Sequence, residues 1–319
     1  MKKKFIQLFI FLFTSVMTIF VIEIFLTIKN KYIIDYDIEM WKYSKLLKKR
    51  SLDPDIGHIH KKNISANLQK VNIKINNLGM RGKDVNINEL SKYDEKILII
   101  GSSIALGWGV DQEKTFPYLI EKKLSQLGKS TIVLNAGVGN YNTKRYVTNY
   151  FKNLSALKPD KIFILFFVND TEILKNNYGN VFTRNFHFAV LIWKYINTIN
   201  EENKFSNIKE YYIEKFTDDY EGFLNAKKDL TKLNNHCIDQ KIQCTLVIMP
   251  DIHNLVSYEL GFIHEKMTSF SNEIGLNSLD LLPFFKNKSK KDLWNKYNDP
   301  HPNENGHQII ATAILENLE

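Results

Sequence analysis

Hydrophobic positions divide the chain into an apolar amino-terminal run, a mixed middle segment and a long stretch of short apolar runs alternating with periodic ones. Phe5–Ile28 is apolar over 24 residues, with only Gln7 and Glu23 strongly polar. About 20 such residues cross a bilayer as a helix. The run is longer than a signal-peptide core and lacks a small-residue cleavage site, so residues 1–31 read as an uncleaved signal-anchor. Glu23 is then either a functional group within the span or a carboxylate near its outer interface. Residues 32–74 form a juxtamembrane segment. Within it Tyr32–Arg50 is amphipathic and basic, as in a membrane-surface helix or a solvated linker, and Val71, Ile73 and Ile75 alternate with period two as in a strand.

Residues 75–319 carry the pattern of one large domain. Ile97–Ile100 is a short unbroken apolar run, the signature of a strand buried on both faces of a parallel sheet. After it, Phe116, Leu119, Ile120 and Leu124 fall at helical spacing, with Thr115 placed as N-cap and Pro117 in the first turn. Further strands are read at Thr131–Leu134, Lys161–Asp170 and Cys244–Met249, with Leu279–Phe285 short and extended. Helices are read at Lys144–Leu157, Asp218–Cys237, Ser257–Ile274 and Gly306–Leu318. Phe186–Ile199 is too short and interrupted to span a bilayer and reads as a packing helix. Strands alternating with helices predict an α/β fold, a doubly wound, mostly parallel sheet.

Composition changes this picture in two places. The net charge is +8, from 43 Lys and Arg against 35 Asp and Glu, and its densest cluster, Lys48–Arg50, lies close to the apolar run. No basic stripe interleaved with aromatic residues appears, which argues against nucleic acid and towards an anionic membrane surface or an acidic glycan. Acidic Asp35, Asp37 and Glu39 offset Lys29 and Lys31, so the triple lysine Lys2–Lys4 places the amino terminus in the cytoplasm and the domain outside it. The two cysteines, Cys237 and Cys244, are either a disulfide or a pair of buried thiols. Without a histidine at ligand spacing they do not suggest zinc.

Candidate chemistry sits at predicted strand ends. Gly101-Ser102-Ser103, Asn135-Ala136-Gly137, Val168-Asn169-Asp170 and Asn298-Asp299-Pro300-His301 follow one another in the chain. In open α/β sheets the carboxyl edge is where ligands bind. Acyl transfer needs a nucleophile, a base and donors aimed at the developing oxyanion. Ser103 fits the nucleophile and His301 the base, with Asp299 holding the imidazole in the required tautomer. The backbone N–H groups of Ser103 and Gly137 and the Asn169 carboxamide fit an oxyanion hole. Trp108, Tyr141, Tyr178 and His253 are candidate pocket lining.

These four stretches resemble the conserved blocks of the SGNH/GDSL hydrolase superfamily, from about Ile75 to the carboxyl terminus. INNLGMRG, GWGVDQEKTFPYLIEKKL, NAGVGNYNT and HPNENGH are similar to extracytoplasmic, membrane-associated members found with polysaccharide genes. The resemblance implies a three-layer α/β/α, flavodoxin-like domain, with Ser103 as nucleophile, Gly137 and Asn169 as oxyanion donors and His301 as base. It requires no metal or organic cofactor. Three positions depart from the pattern: Ser102 stands for the usual aspartate, Phe167 for the glycine of the third block, and Asn298 for the residue three before the histidine. Either Asp299 or Asn298 therefore orients His301, and Asp299 is the better group. The expectation is a membrane-anchored serine esterase acting on O-acyl, foremost O-acetyl, groups of a cell-envelope polysaccharide. A polysaccharide O-acetyltransferase using the same triad, a non-catalytic glycan-binding protein on a degenerate scaffold, and a lipid esterase using the apolar Phe186–Trp193 surface are the alternatives.

Overall fold

The computed structural model describes residues 2–176, 178–205, 207–296 and 299–318. Helix α1 (Lys2–Tyr32) holds the apolar run and is the one described helix long and apolar enough to cross a membrane. Asp35 then caps α2 (Tyr36–Leu47), accepting the Ile38 N–H at 3.3 Å. Two antiparallel pairs follow: β1 (Lys48–Arg50) with β2 (His58–His60), and β3 (Ile64–Leu68) with β4 (Val71–Ile75). The period-two residues Val71, Ile73 and Ile75 are buried, and they pack with Tyr43 and Leu47 of α2 and with Trp108. The amphipathic stretch is thus a helix whose apolar face lies on the domain.

The main sheet contains β5 (Glu95–Gly101), β6 (Thr131–Asn135), β7 (Lys161–Phe167), β8 (Gln243–Met249) and β9 (Asn277–Asp280), all parallel, in the order β6-β5-β7-β8-β9. Ile97–Ile100 is buried throughout because each face of β5 meets a helical layer. Leu98 and Ile100 pack in the layer containing α5 (Thr143–Asn149), α9 (Glu221–Gln240) and α10 (Gly261–Glu273). Ile97 and Ile99 pack on the other face against α4 (Phe116–Gln126) and α13 (Glu304–Glu316). This is the three-layer, doubly wound arrangement, and its strand order reverses between β5 and β7. A ligand crevice forms at such a reversal. The short helices α3 (Ser103–Leu106), α6 (Val181–Asn185), α8 (Ile208–Lys215), α11 (Leu282–Phe285) and α12 (Lys290–Leu293) connect these layers. Leu279–Phe285, read as extended, is β9 followed by α11, because Pro283 opens a helical turn.

Helix α7 (His187–Phe205) is the packing helix read from the sequence, but the main sheet is not what it packs on. Val190 is buried, but Leu191, Ile192, Trp193 and Ile196 remain exposed. The helix packs on α1 instead. Glu23 explains the docking, since its two carboxylate oxygens accept the His187 and Phe188 N–H groups, each at 2.8 Å. A carboxylate against the free N–H groups of a first turn is favoured by both hydrogen bonding and the helix dipole. Cys237, at the end of α9, forms a disulfide with Cys244 at the start of β8.

Candidate active site

Strand β5 ends at Gly101, whose backbone leaves the strand at φ 155°. A Cβ there would come within 2.8 Å of the Leu165 carbonyl on β7, so only glycine lets the chain turn so close to its neighbour. The turn places Ser103 in the first position of α3, at the carboxyl edge and beside the strand reversal. Gly137, beyond β6, abuts the same helix, and a Cβ on it would collide with the Leu106 backbone nitrogen. Arg81, from the INNLGMRG stretch, braces the loop after Ser103. Its buried guanidinium donates to the carbonyls of Leu106 at 2.9 Å, Gly107 at 2.5 Å and Val110 at 2.5 Å.

Ser103 Oγ lies 2.7 Å from His301 Nε2, and His301 Nδ1 lies 2.6 Å from Asp299 Oδ1. The His301 backbone N–H also donates to that oxygen at 3.0 Å, which shows how a spacing of two residues serves: the carboxylate folds back over its own turn. Asp299 is fully buried, and its other oxygen accepts from Gln69 Nε2 at 2.6 Å and from the Trp108 indole N–H at 2.9 Å. Burial by itself would raise this carboxyl, but the hydrogen bonds and charge of His301, with the Gln69 bond, outweigh it and hold it below the ordinary value. Asn298, the alternative orienting residue, lies outside the described residues.

The sequence-predicted oxyanion donors differ in state. Ser103 stands at the helix start, where backbone N–H groups lack an intrahelical acceptor. Asn169 is exposed, in the helical turn after β7, and its carboxamide makes no hydrogen bond among the described residues. The Gly137 N–H is already donated to Asn135 Oδ1 at 3.0 Å. Next to Asn169, Asp170 is buried and accepts the Phe167 N–H at 3.1 Å, so its role is to shape the turn, and burial pushes its carboxyl well above the ordinary value. Ser102 is buried without a capping bond from its side chain.

Of the candidate lining residues, Trp108 touches Asp299. Tyr141 is buried, with its hydroxyl on the His58 carbonyl at 2.5 Å. Tyr178 rims a separate cleft, and His253 pairs with Asp251 at 2.8 Å beside Trp294. Sequence reasoning missed Gln69, on the β3–β4 turn, and Tyr36, whose ring lies 5.8 Å from that of His301. It also missed Glu39, buried on α2, which accepts the Gln69 N–H at 2.6 Å and the Lys42 ammonium at 2.7 Å. Only the unusual GWG around Trp108 carried a signal. His307, six residues after His301, is a core residue: it stacks on Phe116, accepts the Phe116 N–H, and burial lowers it to about 3.

A parallel α/β sheet with serine, imidazole and carboxylate in line at its carboxyl edge is the architecture of an SGNH-type, ester-hydrolysing enzyme. The chain belongs to the GDSL-like lipase/acylhydrolase family, whose model matches residues 99–309. No curated protein sequence matches it significantly. Among solved structures it is similar to Axe2, an acetylxylan esterase from Geobacillus stearothermophilus, at 17% identity and TM-score 0.47, over 70% of this chain and 94% of that one. It is similar to LAE5, an alpha/beta hydrolase from the metagenome of Lake Arreo, Spain, at 17% identity and TM-score 0.48, over 70% and 94%. TesA matches at 11% identity and TM-score 0.48, over 70% of this chain and 98% of that one.

Proposed function

We propose that the protein is a membrane-anchored serine esterase that removes O-acyl groups, foremost O-acetyl, from a cell-envelope polysaccharide. The observation that carries this is the unbroken line Ser103 Oγ–His301 Nε2 and His301 Nδ1–Asp299, at 2.7 and 2.6 Å. His301 takes the Ser103 proton as Oγ attacks the ester carbonyl carbon. The tetrahedral oxyanion lies against the Ser103 N–H and the Asn169 carboxamide, with Gly137 contributing once its N–H is shared between Asn135 and the oxyanion. Collapse breaks the bond to the sugar oxygen, which leaves with the proton from His301, and an acyl group remains on Ser103. Water, deprotonated by His301, then attacks the acyl-enzyme and releases the carboxylic acid. Helix α1 supports the anchor, and the Cys237–Cys244 disulfide supports an extracytoplasmic domain, where such bonds persist.

The test is acetate release from p-nitrophenyl acetate and from an acetylated polysaccharide by the full chain, with labelling by a serine-directed fluorophosphonate. Ser103→Ala and His301→Ala each lower the rate by on the order of 10⁴-fold or more, and Ser103→Ala abolishes labelling. Undiminished release or labelling in Ser103→Ala overturns the reading. Acyl groups appearing on added sugar faster than in water would replace it with the acetyltransferase.

A further inference from the structure

A cleft of about 880 Å³, separate from the triad, lies between the α2–β1 segment and the loop leading into α6 and α7. From one wall come Lys45, Lys48, Lys49 and Arg50, with Lys61 beyond them. From the other come Arg145, Lys175 and Arg184. The single carboxylate in the lining, Asp37, is already paired with Lys194 at 2.9 Å. Among the described residues, none of the eight cations forms an ion pair.

Two of these cations are not solvated surface groups. Arg145 is only 4% exposed, and its guanidinium donates to neutral acceptors alone: the carbonyls of Asn140, Leu174 and Lys175 and the Asn176 carboxamide. Lys48 is half-buried, with its ammonium 3.3 Å from the Gly139 carbonyl and 4.7 Å from the centre of the Tyr43 ring. Burial, followed by the Arg145 charge, lowers Lys48 to about 7. Buried cations ordinarily have a counter-charge nearby, because desolvation without one is expensive. Among the described residues, no carboxylate pairs with Arg145 or Lys48.

We infer that this cleft binds an acidic glycan, a sugar chain carrying carboxylate or phosphate groups. Repeated anionic groups match cations spread along both walls better than a single anion does. Trp41, Tyr178 and Trp193 add aromatic rings to the lining, and Lys45 and Arg50 lie 5.1 and 4.0 Å from the centres of the Trp41 and Tyr178 rings. Helix α2 links the cleft to the reacting groups, because Tyr36 lies on His301 while its neighbour Asp37 lines the cleft. The inference names the substrate class of the proposed esterase and rests on that reading.

The full chain in zwitterionic phosphatidylcholine nanodiscs is titrated calorimetrically with oligogalacturonate and with a neutral xylo-oligosaccharide of equal length. The acidic chain binds at least about tenfold tighter, a margin that added salt shrinks. Arg50→Glu and Arg184→Glu each weaken it about tenfold or more, while Lys123→Glu, the same charge change on α4, leaves it within about twofold. Melting curves confirm folding, and Arg184→Gln replaces any variant that does not fold. Equal binding of the two glycans, or variants that bind as wild type, overturns the inference. So does failure to bind oligogalacturonate together with tight binding to phosphatidylglycerol vesicles that Arg50→Glu abolishes, since the cleft would then serve an acidic lipid surface. Binding is read without turnover, so an inactive protein that still selects the acidic chain overturns the esterase reading and sustains this one.

Discussion

At the scale of single residues, the Asp299 carboxylate ties the site to parts of the chain far away in sequence. Gln69 and Trp108 satisfy the oxygen that His301 does not use, and Glu39 fixes Gln69 through its backbone N–H. Hydrogen bonds to a charged, buried acceptor are worth about 1.5–3 kcal/mol, so Gln69→Ala lowers kcat about tenfold with KM for p-nitrophenyl acetate little changed. Because Asp299 is held below its ordinary value, the stability it gives is present at neutral pH and lost as pH falls through that lowered value. Losing the Gln69 donor moves that loss to higher pH, which melting curves against pH read directly. His60 also loses stability as pH falls, through a neutral imidazole rather than a carboxylate. Its Nε2 accepts the Tyr43 hydroxyl at 2.6 Å, and that hydroxyl in turn accepts the Gly139 N–H at 2.9 Å, next to the glycine turn of the site. Burial lowers His60 from 6.5 to about 3, so the unfolded chain takes up the proton first and stability falls as pH drops from about 6.5 towards 3. His60→Gln, which retains an acceptor without a titrating ring, should show a smaller drop in melting temperature between about pH 7 and pH 4. An equal drop would remove His60 as the cause.

At the scale of elements, the sequence was legible wherever function depends on a strand end and the few residues after it. Ser103, Gly137 and Asn169 each follow such an end, and the turns there demand glycine or a cap, so local pattern and chemistry coincide. His301 lies instead in the α12–α13 loop, just ahead of the Asn303 cap. Gln69 had no such signature. It lies on a hairpin turn at φ 51°, and its partner Asp299 is 230 positions away. The docking of α2 was equally hidden, because an amphipathic basic pattern does not say whether its apolar face meets lipid, water or protein. For α7 the apolar content was legible and its partner was not: the pairing depends on Glu23, one carboxylate inside an otherwise apolar run. Glu23→Ala removes both bonds to the start of α7, at a cost of about 1–2 kcal/mol typical of a lost N-cap. The prediction is faster amide hydrogen exchange over residues 187–193 in detergent or nanodiscs, with exchange in β5 and β7 unchanged. Unchanged exchange over 187–193 would mean that packing against α1, not the carboxylate, holds α7.

At the scale of the whole molecule, the family match begins at residue 99, yet the triad depends on what precedes it. Arg81 holds the loop behind Ser103, Gln69 and Trp108 hold Asp299, and Tyr36 lies over His301. Tyr43, Leu47, Leu68, Ile73 and Ile75 form a buried cluster around Trp108, so the segment from α2 to β4 is packed into the domain rather than strung between it and the apolar helix. Cutting the chain at different points separates anchoring from support. A fragment from Asp35 to Glu319 keeps the α2 cap, Glu39 and the whole cluster, and should hydrolyse p-nitrophenyl acetate within about threefold of the full chain. A fragment from Ser51 loses Tyr36, Glu39, Tyr43 and Leu47. Truncating large buried side chains costs about 2–5 kcal/mol each, and Gln69 would lose its own fixed partner. That fragment should fall at least about tenfold in kcat and melt well below the longer one. If the two fragments prove equally active and equally stable, the amino-terminal segment is a tether, and the bonds around Asp299 form without it. If only the shorter one fails, active-site support begins in α2, four residues after the end of α1.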